Sequence, residues 1–139
     1  KATRNDTNFH DIEIGDYSIS WNLNGGDAFA ISEESVHEAG CIHTSQGLEF
    51  DYTGVIIGDD LRYENGKVIT DYTKRAKTDN SLKGIKKLAK KDKEKANQVA
   101  DEIIKNTYRT LMTRGMKGCY VYCTDTALAQ YFKKLLKQK

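Results

Sequence analysis

The 139-residue sequence contains no proline, a single tryptophan and only three cysteines. Without proline, its turns must be made by glycine, asparagine and aspartate. Cys41, Cys119 and Cys123 are odd in number and form no C-x-x-C pair. Two of them sit in apolar strand-like runs, where a thiol acts as a small core hydrophobe, so disulfide and zinc frameworks are both poor readings. Lys and Arg total 22 against 20 Asp and Glu, and the net charge of +2 identifies no polyanion binder by itself. Any basic footprint must come from local clustering. No apolar run reaches the length of a membrane helix, and residues 1–11 carry no signal-peptide core, which sets cytoplasmic localisation and no membrane partner as the expectations. The first residue is not Met and the opening residues are polar and unpatterned, as expected of a segment of something longer.

What is present is an ordinary globular mixture, 38% hydrophobic and 30% charged, of a size that buries one core. Short β-prone pieces at 9–14, 17–21 and 28–31 are separated by Gly15-Asp16 and Asn24-Gly25-Gly26-Asp27. A strand is expected at 40–43 and another at 53–58, buried on both faces because its Val-Ile-Ile run does not alternate. Asn65-Gly66 between two β-prone arms predicts a hairpin over 61–69, since both central residues must take positive φ. The segment 81–95 is lysine-rich and reads as a weakly packed helix. Val99, Ile103, Thr107 and Leu111 fall four apart, with Ile104 and Tyr108 widening the stripe, so 96–113 reads as an amphipathic helix stopped by Gly115. A strand at 118–123 follows. Thr124 or Asp125 then caps a closing helix whose face is Leu128, Tyr131, Phe132, Leu135 and Leu136. Strands alternating with helices imply a layered α/β sheet with some parallel pairing.

Two stretches concentrate polar chemistry. The first is Cys41-Ile42-His43-Thr44-Ser45-Gln46-Gly47-Leu48-Glu49-Phe50. Ligands of open α/β sheets gather at the carboxyl ends of strands, where this loop would lie if 40–43 is a strand. Its glycine and short hydroxyls suit phosphate oxygens, and Glu49 suits a ribose hydroxyl. Equally, Thr44 or Ser45 caps a short helix whose Leu48 and Phe50 pack inward. The second stretch ends Thr113-Arg114-Gly115. Arg114 offers a permanently charged planar fork for a transferring phosphoryl group, or it is a cation at a helix C-terminus with Gly115 as the left-handed cap. Arg109, about one turn earlier, either joins it or faces solvent. His43 shows no metal-partner spacing, and His10 and His37 lack context. Trp21 suits base stacking or core packing, and the lysine run either tracks phosphates or forms a solvated helix face.

Together these stretches resemble the Schlafen group 3-like DNA/RNA helicase domain family, a bacterial domain of unknown function within superfamily 1 helicases. Gly40 through Tyr52, followed by Gly54-Val55-Ile56-Ile57-Gly58, is similar to the family's helicase motif V. Asn106-Thr107-Tyr108-Arg109 through Thr113-Arg114-Gly115-Met116-Lys117-Gly118-Cys119-Tyr120-Val121-Tyr122 is similar to its motif VI. The resemblance spans about 21–132.

It implies a three-layer RecA-like domain of the P-loop NTPase type, mostly parallel, with an inserted hairpin and a lysine-rich helical segment, and incomplete. Residues 1–139 would be part of a second RecA-like domain, with 20–58 as the motif V region, 61–69 the hairpin, 81–95 the basic segment and 96–137 the motif VI helix, strand and closing helix. By the same resemblance Arg114 is an arginine finger, and Gln46, Gly47, Glu49 and Arg109 face the nucleotide. His43, Thr44 and Ser45 face DNA or RNA. ATP, Mg2+ and an N-terminal RecA-like domain belong to the parent protein. No G-x-x-x-x-G-K-[ST] loop and no acidic magnesium-binding motif occur here, so the chain alone is expected to bind no cofactor and hydrolyse no ATP. The competing reading is a non-hydrolytic nucleic-acid-binding or protein-interaction module of a multidomain nuclease or restriction-type protein.

Overall fold

The computed structural model describes residues 10–23, 29–76 and 79–138. The chain is a mixed α/β protein of three small sheets and four α-helices among these residues. Strands β1 (Ile12–Ile14) and β2 (Tyr17–Trp21) form an antiparallel hairpin, and β2 also pairs in parallel with the two-residue β3 (Glu38–Ala39). Helix α1 (Ile42–Ser45) leads into β4 (Phe50–Ile57), followed by the hairpin β5 (Leu61–Glu64) and β6 (Lys67–Thr70). Asn65 and Gly66 take φ of 50° and 78° at its tip, as the Asn-Gly signal requires. Helices α2 (Ile85–Ala89) and α3 (Lys93–Met112) precede β7 (Gly115–Cys123) and α4 (Thr126–Leu136).

The expected parallel pairing is present: β7 lies parallel to β4, with Val55 opposite Val121 and Ile57 opposite Cys123. Both are mounted on α3, whose buried line is Ala96, Ala100, Ile104 and Tyr108, and on α4 through Leu128. The helix keeps its expected four-residue spacing, but its innermost row lies one position over from the Val99 to Leu111 row, because the small alanines admit α2 closely. Asp125 caps α4, its carboxylate accepting from the Ala127 and Leu128 N–H groups and from Tyr63 N–H at 2.8 Å. One residue thus starts a helix and ties it to β5.

Several expectations give way. The 40–43 strand is absent, and the chain turns into α1 instead. Thr44 Oγ1 accepts from Cys41 N–H and donates to Cys41 C=O, both at 2.9 Å, and Ser45 Oγ donates to Cys41 C=O at 3.2 Å. Local side-chain bonds of this kind compete with a strand ladder. The expected 28–31 strand is a 3-10 turn at Phe29–Ile31, where Ile31 is exposed and gains nothing from β pairing. Phe9, Ala28 and the Asn24-Gly25-Gly26-Asp27 turn lie outside the described residues.

Among the described residues, strand β4 is covered on one face only. Tyr52, Tyr120 and Tyr122 stand exposed on the other, where Ile14 and Tyr17 join Ile56 and Tyr122 around a shallow pocket. Leu135 and Leu136 are also exposed, so the apolar face of α4 is used only as far as Phe132. Helix α3 ends at Met112, the C-cap Thr113 donates its N–H to Arg109 C=O, and Gly115 already belongs to β7. Gly115 is not a left-handed cap. It is small because a Cβ there would collide with the Gly118 carbonyl oxygen and stand 2.9 Å from Thr53 Oγ1.

Candidate functional site

The two stretches singled out from sequence meet at one rim of the β4/β7 pair. Phe50 N–H donates to Arg114 C=O at 2.9 Å, and Phe50 lies opposite Gly115 in the ladder. Arg114 Nη1 points at Leu48 C=O at 3.5 Å. The rim is the amino-terminal one of both strands, the reverse of the carboxyl-end placement that a strand at 40–43 would have required. Just inside it the register shifts, two residues of β4 spanning the step that takes three on β7, from Phe50/Gly115 to Tyr52/Gly118. Such a bulge twists a strand and re-aims its side chains. Lys117 and Asp51 face each other across it at 2.8 Å.

Beyond the Lys117–Asp51 pair and the Arg114 contact to Leu48 C=O, most polar side chains at this rim are uncommitted among the described residues. Arg114 has no carboxylate partner among the described residues, and its Nε is buried without a hydrogen-bond partner. Gln46, Gly47 and Glu49 are exposed, and no hydrogen bond or ion pair engages the Gln46 or Glu49 side chain among the described residues. Gly47 takes φ +80°, with nothing within 4 Å of where a Cβ would be, so its backbone is open to close approach. Exposed His43 lies on α1 beside them. Thr44 and Ser45 are different: their hydroxyls are engaged in α1's own hydrogen bonds. Arg109 sits one turn back on α3, exposed and without a side-chain partner among the described residues. This open edge, with the Arg114 and Arg109 guanidiniums free of carboxylates among the described residues and a glycine clear of side chains, fits a phosphate-bearing ligand. It offers no ready metal cage, since no three His, Cys, Asp or Glu side chains gather among the described residues.

The opposite end of β4 carries a polar cluster that the sequence pattern does not announce. Asp60, 3% exposed, accepts from Tyr108 O–H at 2.5 Å and from Arg75 Nη1 at 2.9 Å. Tyr108 Oη in turn accepts Gly58 N–H at 3.2 Å. Arg75 also grips Asp79 at 2.6 Å, and Asp79 accepts Ser81 N–H and O–H. Burial opposes the Arg75 charge, but bonding to Asp60 and proximity to Asp79 hold its pKa above the ordinary value. Burial and the neighbouring Asp60 push the Tyr108 phenol up, keeping it a neutral donor. Nearby, Thr124 O–H donates to Asp59 at 2.8 Å, and Arg62 binds Glu64 and the Asp59 carbonyl. The one available signal is an acidic pair, Asp59-Asp60, directly after an apolar strand. Tyr108 reads in sequence as part of a hydrophobic stripe.

Fold and rim together define a mixed α/β domain with an open, arginine-bearing edge on a parallel strand pair. The chain belongs to the Schlafen group 3, DNA/RNA helicase domain family, whose sequence profile matches residues 1–125. It is thus a helicase-like, nucleic-acid-related domain. A curated relative, the uncharacterized protein YPL245W of Saccharomyces cerevisiae (strain ATCC 204508 / S288c), is 34% identical over 98 residues, 70% of this chain and 20% of the relative. The chain therefore spans about a fifth of that protein's length. No solved structure matches it. No described helix is long and apolar enough to cross a membrane.

Proposed function

We propose that this chain is part of the second RecA-like domain of a superfamily 1-type, nucleic-acid-dependent ATPase, and that the amino-terminal rim of β4 and β7 faces the triphosphate. The observation that carries this reading is the meeting of the 46–49 loop and Arg114 at one edge through the Phe50 to Arg114 bond, with the guanidinium free of any carboxylate among the described residues. Arg114 supplies fixed charge to the phosphoryl oxygens. Gly47 gives the ligand close access to backbone, while Gln46 and Glu49 hold sugar hydroxyls. Arg109 is a second cation one turn away, placed to widen the field rather than to touch the same group. His43 is the exposed member of the strand-facing set, whereas Thr44 and Ser45 shape α1 and present it.

The phosphate loop and the magnesium-binding acid belong, on this reading, to another domain of a longer cytoplasmic parent. ATP is then held between two lobes, and the 139 residues alone hydrolyse nothing. Arg114→Ala in that parent should lower nucleic-acid-stimulated ATPase by about 10³ or more, the scale of an arginine finger in other NTPases, while the protein stays folded. Near-normal turnover discards the finger assignment.

A further inference from the structure

Far from the rim, the chain builds a second cationic surface of another kind. Residues 83–95 hold seven lysines against Asp92 and Glu94, five net positive charges in a chain whose total is +2, which leaves the other residues at −3. All seven are exposed, and none enters an ion pair among the described residues. Asp92 is occupied capping α3, its carboxylate accepting Lys95 N–H at 3.0 Å. The sequence predicts a weakly packed helix here, yet the segment is anchored. Gly84 turns at φ +92° into α2, Ile85 is 5% exposed, and it packs on Ala96 and Ala100. The lysines are therefore displayed from a fixed base.

The composition of this corner decides its partner. No large hydrophobic residue between 83 and 95 is exposed, so it lacks the apolar face by which an amphipathic helix enters a bilayer and the apolar centre of a protein interface. Its cations are all lysines, hydrated point charges suited to a run of phosphates rather than to one planar carboxylate. Helix α3, 20 residues or roughly 30 Å long, separates the corner from Arg114. We propose that the α2/α3 corner is an accessory binding surface for a nucleic-acid backbone, sequence-independent and distinct from the nucleotide-facing rim.

The test is fluorescence anisotropy of labelled single-stranded DNA and RNA oligonucleotides with the full chain over a range of KCl. A variant with Lys87→Glu, Lys90→Glu and Lys91→Glu is compared with Lys133→Glu, Lys134→Glu and Lys137→Glu at the end of α4, which changes total charge equally. The corner variant should bind at least tenfold more weakly, and its log affinity against log salt should flatten by about 2, the share of three phosphate contacts on a single strand. The α4 variant should keep both within twofold. A Lys87→Gln, Lys90→Gln, Lys91→Gln variant with an unchanged melting temperature guards against misfolding and should show the same direction. Equal losses in both sets, or wild-type binding by the corner variants, overturns the proposal. So does capture of the wild-type chain by phosphatidylserine vesicles without oligonucleotide binding. Because the readout needs no ATP, it stands or falls separately from the Arg114 assignment.

Discussion

The two ends of β4 are built on opposite terms. At the carboxyl end, Asp60, Tyr108, Arg75, Asp79 and Ser81 bind one another inside the protein, with the one Arg75 guanidinium shared between two carboxylates. At the amino end, roughly 25 Å away along the strand, Arg114, Gln46 and Glu49 stand without such partners among the described residues, and Arg114 Nε is buried unmet. The first arrangement fixes a loop onto the sheet. The second leaves hydrogen-bonding capacity unused among the described residues. The buried charges are accounted for by contacts within the fold, and the Arg114 charge is not.

The largest effect that can break this contrast is on stability. Arg75→Ala leaves Asp60 a buried carboxylate without its counter-charge, a lesion that costs about 3–5 kcal/mol, whereas Arg114→Ala, with no carboxylate to orphan, should cost under about 1 kcal/mol. Urea unfolding of both variants measures the difference, and equal losses would erase the distinction between the two ends. A smaller effect separates two glycines of the same strand pair. Gly115→Ala drives a Cβ into the Gly118 carbonyl, which is backbone and cannot yield, and should cost about 1–3 kcal/mol. Gly54→Ala meets nothing within 4 Å and should change the urea midpoint little.

The smallest effect is that of acid. Burial works against the Asp79 charge, but hydrogen bonds from Ser81 and the charge of Arg75 outweigh it and hold the carboxyl below its ordinary value. A depressed folded-state pKa gives stability that is complete above the unfolded value near 4 and is lost as pH falls through the folded one. Unfolding midpoints should therefore drop below about pH 4, and less steeply for Asp79→Asn.

How much of this is legible in the sequence follows from the range of each interaction. The hairpin is readable because Asn65-Gly66 carries its own backbone demand, and α3 because its apolar period repeats along 20 residues. Asp125 declares itself as a cap by standing before an apolar helix. The strand expected at 40–43 gives way to α1 because Thr44 and Ser45 divert their hydroxyls to Cys41, a choice that the apolar flanks do not announce. The Asp60 cluster is invisible for the opposite reason: its partners are 15 and 48 residues away, and only the fold brings them together. The rim is legible in part. Arg114 and the 46–49 loop do meet, but the Thr44 and Ser45 hydroxyls are spent within α1.

Amide hydrogen exchange of the parent protein with and without a non-hydrolysable ATP analogue reads both ends of β4 in one experiment. Added protection is expected at 46–50 and 113–116, with 58–62 unchanged. Protection confined to 58–62, at the carboxyl end of β4, would contradict the nucleotide-facing assignment of the rim.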